Sequence, residues 1–149
     1  MKKNLTFIFI TYIFLIYPTA TFAQSTNVKN KQMSACMAMV KPSAMYALDI
    51  PSGNNAILNK FIMALADIGD SPNTKTLVDL LSKPLEKPIA VVGEDEAVAA
   101  ATIEAALAKI AAGDQQFANT ICFAGNEKYA DSLKMAAKKA GVTMLLPQP

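Results

Sequence analysis

Two short apolar runs, each closed by a glycine and followed by a segment of helical period, recur at a fixed offset of 32 positions. Val91, Val92 and Gly93 superpose on Phe123, Ala124 and Gly125, and Ala105 and Ala108 on Ala137 and Ala140. A continuous apolar run ending at glycine is the pattern of a strand covered on both faces. A strand followed by a helix of this length needs a crossover, and crossovers make parallel sheets with helices packed on them.

The rest of the chain extends the alternation. Ala44 to Ile50 is strand-like, and Pro51-Ser52-Gly53-Asn54 breaks it with turn residues. Ile57, Leu58, Phe61, Ile62, Leu65 and Ile68 recur at helical spacing, with Asn54 or Asn55 as N-cap and Gly69 as C-cap. A second helix fits Thr74 to Ser82 behind Asn73, and Pro88 to Val92 is the next strand. Glu94-Asp95-Glu96 opens a long helix to about Ala112, the acids lying at the positive end of its dipole. Strand Ile121 to Ala124, helix Asn126 to Ala140 and strand Val142 to Leu146 follow. Upstream, Met33, Cys36, Met37 and Val40 share one helical face, and Pro42 stops that helix. The expected fold is a small α/β domain, Rossmann-like or flavodoxin-like, with about four mostly parallel strands and helices packed on the sheet.

The first 23 residues read differently. Lys2 and Lys3, the apolar run Leu5 to Tyr17 and the small-residue end Thr21-Phe22-Ala23 have the form of a cleaved export signal. An apolar run of about 13 residues is short of the roughly 20 needed to span a membrane, and Pro18 interrupts it. The expected organisation is a signal peptide over 1–23, a polar N-terminal arm over 24–31 and a single domain over 32–149. The exported chain would be periplasmic or secreted, with no transmembrane anchor after cleavage. About 126 residues would remain, enough to bury one core.

Composition narrows the chemistry. The formal charge of +2 is that of fourteen basic residues against twelve acids. All fourteen are lysines, and without Lys2 and Lys3 the balance is even, which argues against a nucleic-acid footprint. The chain has no His, Arg or Trp. Histidine triads, histidine metal sites and arginine clamps on phosphate are therefore excluded. Lys128, Lys134, Lys138 and Lys139 form a solvated cationic face on the last helix.

The two cysteines, Cys36 and Cys122, form an even pair, and in an oxidising compartment they favour a disulfide over two buried thiols. Ligands of open parallel sheets gather beyond the carboxyl ends of the strands. The candidate binding loops are therefore Asp49, Ser52, Gly53 and Asn54; Gly93, Glu94 and Asp95; and Gly125, Asn126 and Glu127. None carries a dinucleotide or P-loop fingerprint.

If Asp49, Glu94, Asp95 and Glu127 converge, they could hold Mg²⁺ for a carboxylate-type enzyme. Met33, Cys36, Met37 and Met39 form a second candidate, a soft-sulfur set for copper(I). The serines have no histidine to activate them, and neither cysteine lies in a Cys-x-x-Cys motif. The expectation is a non-enzymatic accessory or binding protein that needs no cofactor. It would meet a protein partner in the cell envelope, or a small ligand, at the loop edge or an edge strand.

Overall fold

The computed structural model describes residues 19–40, 44–53, 55–114 and 116–147. The apolar run of the export segment, Pro42 and Asn54 lie outside them. In chain order the elements are α1 (Thr19–Met39), β1 (Tyr46–Ile50), α2 (Ala56–Asp67), α3 (Pro72–Leu81), β2 (Ile89–Gly93), α4 (Glu96–Ala112), β3 (Thr120–Phe123), a short 3-10 turn (Glu127–Tyr129), α5 (Ala130–Lys139) and β4 (Thr143–Leu145).

The four strands form one parallel sheet in the order β1-β2-β3-β4. Ile50 pairs with Gly93, Val91 with Phe123 and Cys122 with Leu145. Each crossover thus returns the chain to the neighbouring position. Crossovers of one hand, stepping always the same way, put every connecting helix on one face. The packing agrees, since α2, α3 and α5 all pack against α4. On the opposite face, α1 lies across β2 and β3, the one helix there among the described residues. Doubly wound sheets reverse their winding at a switch point; this sheet does not.

The period-2 alternation of strands sorts the side chains into two cores. Ile50, Ile89, Val91, Ile121 and Phe123 join Leu77 and Leu81 of α3, the inner side of α4 and Leu133 and Ala137 of α5. On the other face Ala90 and Cys122 meet Cys36 of α1, with Met33, Met39, Met45, Ala124 and Leu145 around them. The Cys36–Cys122 disulfide ties α1 to β3, with Cα atoms 5.8 Å apart.

Local chemistry sets the helix ends. The Asn55 side chain accepts from Leu58 N at 2.9 Å and starts α2. Gly69 leaves it with φ of 72° and Gly141 follows α5 with φ of 67°, the left-handed region where a Cβ is penalised. Ser71 rather than Asn73 caps α3, because Pro72 sits at its first position, where a missing N–H costs nothing. Asp95 accepts from Ala97 N and Val98 N and starts α4. Gly113 caps α4 with an extended backbone. The last helix is divided, with Asn126 capping the 3-10 turn before α5 begins.

The polar stretch Gln24–Lys31, read from sequence as an arm, is helical and continuous with the Met33–Met39 segment. Contacts outside the helix hold its final turns. Lys29 reaches Asp49 at 2.8 Å and Glu94 at 3.5 Å, and Gln32 Oε1 accepts from Gly93 N at 2.9 Å. Helices of weak amphipathicity form where tertiary contacts stabilise them.

Candidate functional site

The carboxyl ends of β1 and β2 open onto a shallow cleft of about 550 Å³, lined by Ser52, Asn59, Glu94, Asp95, Glu96, Ala97, Lys128 and Tyr129. Hydrogen bonds inside the protein occupy its acids. Asp95 spends one carboxylate oxygen on the start of α4, and the other accepts from Asn59 Nδ2 at 2.6 Å. Asn59 Oδ1 in turn accepts from Gly53 N, so Gly53, Asn59 and Asp95 join the first loop to α2 and α4. Glu96 accepts from Asn126 N at 3.0 Å and ties the second loop to the third. Close packing favours glycine at position 93, since a Cβ there would lie 3.0 Å from Ile50 O and 3.3 Å from the Ala99 methyl.

Of the residues singled out in the sequence, Ser52, Glu94 and Asp95 line this cleft, while Gly53 and Asn126 border it through their hydrogen bonds. Gly125 packs over the Phe123 ring. Glu127 belongs to a different cleft, with Ala130, Asp131, Lys134 and Met144. Asp49 alternates with Leu48 and Ile50, so it projects to the α1 face and pairs with Lys29. That hydrogen bond raises the Lys29 pKa above its ordinary 10.5, against the lowering effect of burial; the charges of Asp49 and Glu94 add to the rise. Asp49 and Glu94 thus share Lys29, while Asp95 is held by Asn59 and Glu127 lies in the other cleft, so the four carboxylates expected to gather do not converge on one point. Among the described residues no three Asp, Glu, His or Cys side chains gather to hold a metal ion.

The sulfur set is parted as well. Cys36 is bonded to Cys122 and offers no thiolate. Met33 and Met39 pack around that disulfide, whereas Met37 faces solvent. Packing accounts for both inward methionines, whose flexible thioethers fill irregular gaps.

The surface that sequence reasoning missed is on α2. The helical spacing of Ile57, Leu58, Phe61 and Ile68 marks an outward face, with exposures of 83%, 43%, 59% and 66%. Only Ala66 of this helix is fully buried, with Ile62 and Met63 half-buried against the core. A signal was present in the sequence, because α2 carries apolar residues on both sides. A helix needing one buried stripe would be polar on the other.

Comparison of the chain with protein-family models, with curated proteins and with solved structures finds no match to any of them.

Proposed function

We propose that this chain is an exported, non-enzymatic binding protein that works through protein–protein contact, with the outward face of α2 as the contact surface. The observation that carries the reading is the exposure of Ile57, Phe61 and Ile68 along one side of a single helix, with Leu58 beside them. Contiguous exposed apolar side chains of this size mark interaction sites. Small-ligand contact at the cleft of the strand ends is the weaker reading, because Asp95 and Glu96 there are already engaged. Mg²⁺ and copper(I) chemistry gain no support from the separated carboxylates or the bonded cysteine.

Export is supported by Lys2, Lys3, the run Leu5 to Tyr17 and the Thr21-Phe22-Ala23 end, together with a disulfide of the kind that persists in oxidising compartments. Cleavage after Ala23 would remove the first turn of α1 and leave its anchors Lys29, Gln32 and Cys36 in place. Among the described residues no helix is long and apolar enough to cross a membrane. The location we propose is the periplasm or the exterior, the partner a protein of the cell envelope, and nucleic acid is not among the ligands. In its βα units the domain is akin to Rossmann-like and flavodoxin-like folds, wound in a single direction.

The test is a pull-down from an envelope fraction with the wild-type chain and with Phe61→Asp, the melting temperature of both being measured. A protein retained by the wild type and lost from an equally stable variant supports the reading. Equal capture by both would sink it.

A further inference from the structure

We infer that the α2 face is occupied by a second copy of this chain, the two α2 helices packing antiparallel about a twofold axis. The inference rests on the binding role proposed for α2 and names its occupant.

Orientation comes first. At 100° per residue, Ile57, Phe61, Ala64 and Ile68 all lie within about 40° of the direction opposite the buried Ala66. The stripe therefore points straight away from α4, against which α2 packs. Over eleven residue steps it is about 16 Å long, a length that one facing helix covers.

The stripe is also its own complement. With the axis between Ile62 and Met63, Ile57 of one copy stands opposite Ile68 of the other, and the large Phe61 opposite the small, exposed Ala64. The flanks carry the orientation. Leu58 and Leu65 run along one side of the stripe, and Lys60 and Asp67 along the other. A twofold axis perpendicular to the plane of the two helices keeps like flanks together. Leu58 then lies beside Leu65 of the other copy, and Lys60 beside Asp67, each pair offset by about 3 Å along the axis. Neither Lys60 nor Asp67 forms a salt bridge among the described residues, so both charges are available for this pairing. A parallel arrangement would set the charged flank of one helix against the leucine flank of the other. Only the antiparallel one matches charge with charge and leucine with leucine. A self-complementary patch is what an isologous dimer requires.

One helix per copy makes a small interface, so the association is weak and reversible. Sedimentation of the purified chain from about 5 to 500 µM brackets the affinity of such an interface. We expect a monomer–dimer equilibrium that Phe61→Asp abolishes. Lys60→Asp alone and Asp67→Lys alone each weaken it about tenfold, since like charges then face each other. An equimolar mixture of those two variants restores it, because one copy presents acids at both flank positions and the other lysines at both. All three positions are exposed, and circular dichroism checks that the variants fold.

A monomer at every concentration would overturn the inference, as would a dimer indifferent to Phe61→Asp. A mixture no better than its components would overturn the antiparallel arrangement. If the chain stays monomeric while envelope capture remains sensitive to Phe61→Asp, the binding role stands and self-association falls. If capture is insensitive too, both fall.

Discussion

Replacing both cysteines with alanine, Cys36→Ala with Cys122→Ala, tests how much of the stability of the fold depends on α1 being tied down. The disulfide spans 86 positions and joins α1 to β3 across the smaller of the two cores. In the chain-entropy model a closed loop of that size removes enough freedom from the unfolded chain to contribute about 4 to 5 kcal/mol. Typical domains are stable by about 5 to 15 kcal/mol, so the loss is about a quarter or more of the total. Among the described side chains the other anchors of α1 are few: Val40 and Gln32 are buried, Met33 and Met39 are half-buried, and Lys29 makes its ion pairs at the surface. With a urea slope of about 2 kcal/mol per molar, the unfolding midpoint is expected to fall by about 2 M. Hydrogen exchange should show the α1 amides losing protection first, because the core formed by α3, α4 and α5 with the sheet does not include them. A midpoint that moves by less than about 0.5 M, with α1 still protected, would refute this account of what holds the helix.

Other perturbations are expected to act locally. Asn119 is buried and accepts from Leu85 N while donating to the carbonyls of Leu81 and Lys83, so Asn119→Ala should cost about 2 to 3 kcal/mol in urea unfolding; a loss below about 0.5 kcal/mol would contradict it. Asp95→Ala removes the cap of α4 and the link to Asn59, for about 1 to 2 kcal/mol, and amide exchange should quicken at Ala97 and Val98. No change at those two amides would show that the cap is dispensable. The folded-state pKa of Lys29 is raised above 10.5, so its pairing contributes fully below that pH and is lost as pH rises through the raised value. On raising the pH from neutral, wild type should therefore lose its advantage over Lys29→Met only in alkali, and a difference unchanged to about pH 12 would rule the pairing out as its source.

The C-terminal half was legible because buried parallel strands advertise themselves. Pro88 to Val92 and Ile121 to Ala124 are continuous apolar runs, each followed by a glycine and a helix, and they are β2 and β3 within a residue or two at their ends. Strand order was not legible, since nothing in a crossover states where its strand will pair. The span of α1 was hidden for a related reason: Lys29 and Gln32 are fixed by Asp49, Glu94 and Gly93, none of them near in sequence. The separation of Asp49 from Asp95 was readable in principle. Leu48 and Ile50 flank Asp49 in a period-2 strand, which sends the carboxylate to the face opposite theirs. The Ser71 cap was obscured by Asn73, an equally good capping residue by type, and Pro72 was the clue to choose between them.

The position of the proposed contact surface follows from the winding. A sheet of four strands is about 14 Å across, and helices pack about 10 Å apart, so two or three helices cover one face. Here α3, α4 and α5 supply the fully buried residues over β1 to β4, yet the first crossover contains two helices rather than one. The surplus helix is α2, which packs on α4 and adds only Ala66, Ile62 and Met63 to the protein's interior. Those three residues account for its inward face, and a polar outward face would have served stability and solubility equally well. Ile57, Phe61 and Ile68 instead face water at a cost that burial against another surface would offset. A sheet wound one way has no switch point, and the shallow cleft at its strand ends has Asp95 and Glu96 already engaged within the protein. The unpartnered side of the surplus helix is where this fold leaves apolar surface to be covered.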